Sequence, residues 1–203
     1  MKSLFLKLVL ILLFAFSLLS SSEDFESIKS DYFKSYDYEQ VGKYKEAIKI
    51  LSPLYKKYPH GYTLNLRLGW LFYLKKNYND SIEYYKKASL INTSAIDPKL
   101  GLIRNYLATY SYEDAQNLAT EILKVDYYNY YANLYIIQSL IAQKKHKISE
   151  KIIKKMLALY PTDILFLEQL LINYKVTNNK YYKEVYESIL ILDPNNVLVR
   201  SSL

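Results

Sequence analysis

Across most of the chain, apolar positions recur with a helical period, not with the two-residue alternation of strands. Leu64, Leu68, Leu71 and Phe72 share one face of a run, and Ile82, Tyr85, Ala88 and Ile91 share one face of the next. Asn77 to Asp80 separates the two runs, with Asn79 or Asp80 suited to cap the second. The pattern predicts a helical hairpin.

The hairpin recurs. Ala47, Ser81, Ala115 and Ser149 are 34 residues apart, as are Tyr44, Tyr78, Tyr112 and His146, and also Tyr38, Phe72, Tyr106 and Leu140. Pro59 and Pro161 lie three such steps apart. A small residue at each step lets two helices approach closely, and the aromatic or large apolar columns fill the space between neighbouring pairs. The chain is therefore expected to be a tandem array of helical hairpins.

Residues 62–95 hold Leu68 and Gly69, then Phe72, Tyr78, Ser81, Tyr85 and Ala88. This 34-residue unit resembles the tetratricopeptide repeat, in which the glycine lets the facing helix pack on bare backbone. Residues 28–61 keep Gly42, Tyr44, Ala47, Leu51 and Pro59 but have Ser35 at the glycine place. Residues 96–129 keep Leu102, Tyr106, Tyr112, Ala115 and Asp126, with Ile103 there instead. Residues 130–163 keep Ile136, Leu140, Ser149, Ile153, Met156 and Pro161. A fifth unit, about 164–196, ends in "ILDPNN", with Pro194 only 33 after Pro161, which places a one-residue deletion near Asn178 and Asn179. The resemblance implies an all-α, right-handed α-solenoid of about five repeats over residues 23–203. "NNVLVRSSL" reads as the start of a further first helix and is a candidate surface for self-association.

Composition agrees with long helices, since 203 residues contain only 4 glycines and 5 prolines. Residues 1–22 differ in kind: Lys2 and Lys7 precede an apolar core, Leu8 to Leu19, and then Ser20, Ser21 and Ser22. This is the pattern of a secretory signal peptide, with an uncleaved anchor that includes Leu4 to Leu6 as the alternative. Cleavage near Ser22 removes Lys2 and Lys7 and takes the formal net charge from +7 to +5. Secretion across the inner membrane, to the periplasm, is the expectation, and membrane contact is expected only through an uncleaved N-terminal segment.

The side-chain chemistry points away from an enzyme. With no cysteine and only His60 and His146, the chain offers no metal-ligand spacing, and its scattered glycines form no phosphate loop. No cofactor, metal or catalytic residue is expected. His146 falls on the tyrosine column and reads as a packing residue at a turn. The 24 tyrosines are accounted for by the repeat, and a secretory leader argues against nucleic acid as partner. The runs "KKNY" and "KKHK" read as solvated lysines at turns and helix ends.

In the resembled family the first helix of each unit lines a concave groove. The positions that face it are Tyr32, Tyr36, Arg67, Trp70, Tyr73, Arg104, Tyr131, Tyr135 and Gln138 in this chain. Two of the three arginines and the single tryptophan fall on this face, and these residue types dominate binding hot spots. Arg67 and Arg104 are expected to pair with acidic or carbonyl groups and the aromatics to supply apolar area. The expected function is a non-catalytic interaction scaffold of the cell envelope that binds a protein or extended peptide. Accessory glycan contact in polysaccharide export and self-assembly are the alternatives.

Overall fold

The structure, a computed structural model, describes residues 24–200. The N-terminal segment read as a signal or an anchor lies outside the described residues. The helices are α1 over 24–40, α2 Tyr44–Lys57, α3 Tyr62–Leu74, α4 Tyr78–Ile91, α5 Asp97–Ala108, α6 Tyr112–Val125, α7 Tyr130–Ala142, α8 His146–Leu159, α9 Ile164–Val176, α10 Tyr182–Leu192 and α11 Val197–Arg200. Among the described residues there is no strand. None of these helices is long and apolar enough to cross a membrane.

The helices form two compact units that divide inside α4, between Tyr84 and Tyr85. In the first, α2 packs on α3, and Ala47, Leu51, Leu54, Leu64, Leu68 and Leu71 form a core against Ile28, Tyr32 and Phe72. In the second, each helix packs on the next from α5 to α10, and the first helices α5, α7 and α9 also pack side by side. Two cores run through it, one centred on Ile103, Ala119, Ile122 and Ile136, the other on Ile137, Ile153, Met156, Phe166, Leu171 and Ile189.

The 34-residue columns correspond to packing. Ala47, Ser81, Ala115 and Ser149 are all fully buried, as only a small side chain allows where two backbones approach. Gly69 is buried, and its carbonyl accepts the hydroxyl of Ser81 at 2.7 Å. A closer approach, at a position the repeat pattern does not mark, is Gly101: a Cβ there would lie 2.4 Å from the ring of Tyr85. The turns repeat too. Gly42, Lys76, Tyr110, Lys144 and Asn178 all have positive φ and stand 34 apart, so four of the five turns hold a side chain in a conformation that favours glycine. After Asn178 the spacing shortens: the buried column Leu54, Ala88, Ile122 and Met156 steps by 34, and its next buried residue is Ile189, 33 on.

Capping differs from the expectation for α4. That helix begins at Tyr78, so Asp80 lies in its first turn; the side chain of Asn77 reaches Asp80, accepting from its backbone N–H at 3.5 Å and donating to its carboxylate at 2.6 Å. Asn129 caps α7 and Asp163 caps α9 through the backbone N–H three residues on, at 3.0 and 3.1 Å. His146 opens α8, half-buried, with Nδ1 3.0 Å from Asn173 Oδ1.

Candidate binding site

The site in the first unit is built from one face of α1 and one of α3. Tyr32, Tyr36 and Glu39 lie at i, i+4 and i+7 on α1, and Arg67 and Trp70 at i, i+3 on α3, so each helix presents a single row. Arg67 is only 6% exposed. Its Nε donates to Ser35 Oγ at 3.0 Å, its Nη1 pairs with Glu39 Oε2, and its guanidinium carbon lies 3.8 Å from the centre of the Tyr36 ring. The other oxygen of Glu39 accepts the indole N–H of Trp70 at 2.6 Å. One carboxylate therefore neutralises the buried cation and fixes the indole, while the tyrosine face covers the guanidinium.

Tyr32, Tyr36, Glu39, Thr63, Arg67 and Trp70 surround a pocket of about 370 Å³. Tyr32 OH lies 3.4 Å from Thr63 Oγ1, and burial is the main cause that raises its phenol pKa above the ordinary value. The same two residues also wall a second, more apolar pocket of about 250 Å³ against Ile28, Leu54, Tyr58 and Leu64. Tyr73 stacks on Trp70, with ring centres 5.6 Å apart, and extends the aromatic surface.

Of the residues selected by sequence, Tyr32, Tyr36, Arg67, Trp70 and Tyr73 are brought together here. Arg67 finds its acidic group within the chain, in Glu39. Glu39 itself was not selected, although its place on the Tyr32–Tyr36 face of α1 was the available signal. In the second unit Tyr131 is exposed and stacks on half-buried Tyr135 at 6.0 Å, with Gln138 half-buried one turn further along α7 and Arg104 half-buried on α5. Tyr130, beside Tyr131, donates its hydroxyl to Asp163 at 2.8 Å; burial first, and the adjacent carboxylate second, push its pKa far above the ordinary value. Among the described residues no group of histidines and carboxylates is placed to hold a metal ion.

Residues 34–95, which include most of this site, match the tetratricopeptide repeat family. The fold is that of tetratricopeptide repeat proteins. Solved structures agree on the fold. TTC0263, a thermophilic protein of this class in Thermus thermophilus, is 15% identical with a TM-score of 0.70 over 86% of this chain and 95% of its own. MamA from Desulfovibrio magneticus RS-1 is 13% identical, TM-score 0.68, over 86% and 96%. YrrB, a tetratricopeptide protein with an unusual peptide-binding site, is 11% identical, TM-score 0.63, over 85% and 89%. No protein in the curated set matches the sequence. The repeats place α1 and α3 as first helices, the class to which all the selected residues belong.

Proposed function

We propose that this protein is a non-catalytic interaction scaffold of the cell envelope that holds an extended segment of another protein against the first helices of its repeats. The observation that carries this reading is the bond from Trp70 to Glu39, which fixes a large aromatic side chain at a pocket before any ligand arrives. A preorganised aromatic wall loses little entropy on binding. Because Glu39 already neutralises Arg67, the pocket suits an apolar or aromatic side chain better than a carboxylate, which Glu39 would repel. Tyr131 and Tyr135 offer a second aromatic surface for the same kind of segment. The peptide-binding site of YrrB and the basic-then-apolar start of this chain support the reading, the former for the partner class and the latter for an envelope location.

The test is capture from native envelope with the chain beside a Tyr36→Ala, Trp70→Ala variant of unchanged helicity. Arg67 is left intact because its burial makes it structural. A protein held by the first bait and lost by the second supports the site; the same set held by both removes it from these residues.

A further inference from the structure

The second helix of the fourth repeat and the turn before it concentrate lysine. Residues 144–155 contain six lysines against one glutamate, giving +5 of the chain's formal +7. Ser149, Ile153 and Met156 turn into the core, and Lys147, Lys151 and Lys154 follow one another at i, i+4 and i+7 around the exposed part of α8. With Ile148 and Glu150 they line a surface depression of about 430 Å³. Lys154 pairs with Glu150 at 2.7 Å, whereas Lys147 and Lys151 are exposed and pair with no acid among the described residues. Ile148, between them, is more than half exposed.

Like charges this close on one helix disfavour one another, so the face is complementary to an anion-bearing partner. The shape of that partner follows from the neighbouring repeats. The second helices before and after it in the chain are net acidic, with Glu113, Asp114 and Glu121 against Lys124 on α6 and Glu184 and Glu187 against Lys183 on α10. A lipid surface, which spreads negative charge over a plane, would bring its phosphates against those acids as well. A single polypeptide segment laid along α8 meets three lysines and one acid, Glu150, which Lys154 already neutralises. Lysine ammoniums act as mobile point charges without bidentate geometry, which suits a row of carboxylates.

We propose that this face of α8 docks an acidic segment of a partner protein, its carboxylates meeting Lys147, Lys151 and Lys154 and an apolar side chain resting on Ile148. The surface is separate from the Tyr36–Trp70 site, and either proposal can fail without the other.

The probe is a fluorescein-labelled (Glu-Ala-Ala-Leu)4 peptide, with its Gln counterpart as control, titrated against the full chain by anisotropy at low and high salt. Lys147→Gln, Lys151→Gln, Lys154→Gln is compared with Lys45→Gln, Lys49→Gln, Lys86→Gln, which removes equal charge from exposed positions elsewhere, both checked for unchanged helicity. The expected result is binding of the Glu peptide over the Gln peptide, weakened roughly tenfold by the α8 variant and less than about twofold by the control. Equal losses in both variants would reduce the effect to diffuse net charge and overturn the proposal. So would indifference to Glu against Gln, or charge-dependent binding to phosphatidylcholine vesicles doped with phosphatidylglycerol that the α8 variant alone loses while the peptide does not bind.

Discussion

Trp70 and Arg67 share one carboxylate: Glu39 accepts the indole N–H through one oxygen at 2.6 Å and pairs with the guanidinium through the other. The two donors stand three residues apart on α3, and their acceptor comes from α1. The binding surface and the stability of the first unit are thereby tied to the same side chain.

Removing that side chain leaves Arg67 buried without its counter-charge. Glu39→Ala is expected to destabilise the first unit by roughly 3 kcal/mol, at the lower end for a broken buried pair because Glu39 keeps some exposure to water. Replacing both partners, Glu39→Gln with Arg67→Met, recovers much of the loss. Urea unfolding of the single and double variants checks this, and additive losses would show that the pair is not coupled.

Gly101→Ala sets helix propensity against packing. Alanine favours the helix by about 1 kcal/mol, but its Cβ would lie 2.4 Å from the ring of Tyr85, which is 3% exposed and has little room to move. Overpacking of this kind costs about 1–3 kcal/mol, so a net loss is expected. Adding Tyr85→Val to the same chain should relieve it; a more stable single variant would mean that the ring yields freely.

Tyr130 makes the second unit sensitive to alkali. Burial and the bond to Asp163 hold its folded pKa above the ordinary 10.0, so the fold favours the neutral phenol. Its contribution is complete below about pH 10 and is lost as the pH rises from the unfolded toward the folded value. Tyr130→Phe should be less stable at neutral pH by about 1 kcal/mol and show a shallower decline above about pH 10. Parallel slopes in wild type and variant would assign the alkaline loss to other groups.

Buried asparagines separate full from partial satisfaction. Asn133 donates to the carbonyls of Tyr127 and Asn129 at 3.1 and 2.8 Å and accepts from Lys155 at 2.7 Å. Asn65, two repeats earlier, donates to Pro59 and Gly61 at 2.9 Å each, but its buried Oδ1 has no partner among the described residues. Alanine should therefore cost about 2 kcal/mol at Asn133 and about 1 kcal/mol less at Asn65, an order that thermal or urea unfolding can reverse.

The periodicity of residue size determined the helical hairpins, their 34-residue step and the fully buried small column, because burial at a close helix contact constrains side-chain volume directly and volume is legible in one sequence. The selection of Tyr32, Tyr36, Trp70 and Tyr73 was also legible, since residues three, four and seven apart on a helix share a face. What lies across from that face was not. Arg67 reads as a surface cation until Glu39, 28 residues earlier, is placed beside it by the packing of α1 on α3. Gly101 was passed over for the same reason, since the ring that requires its bare backbone comes from α4. Pairing between helices depends on their crossing angle and axial offset, which many side chains set together and no local spacing encodes. Tertiary structure alone decided which charges are neutralised inside the protein and which, as on α8, remain for a partner.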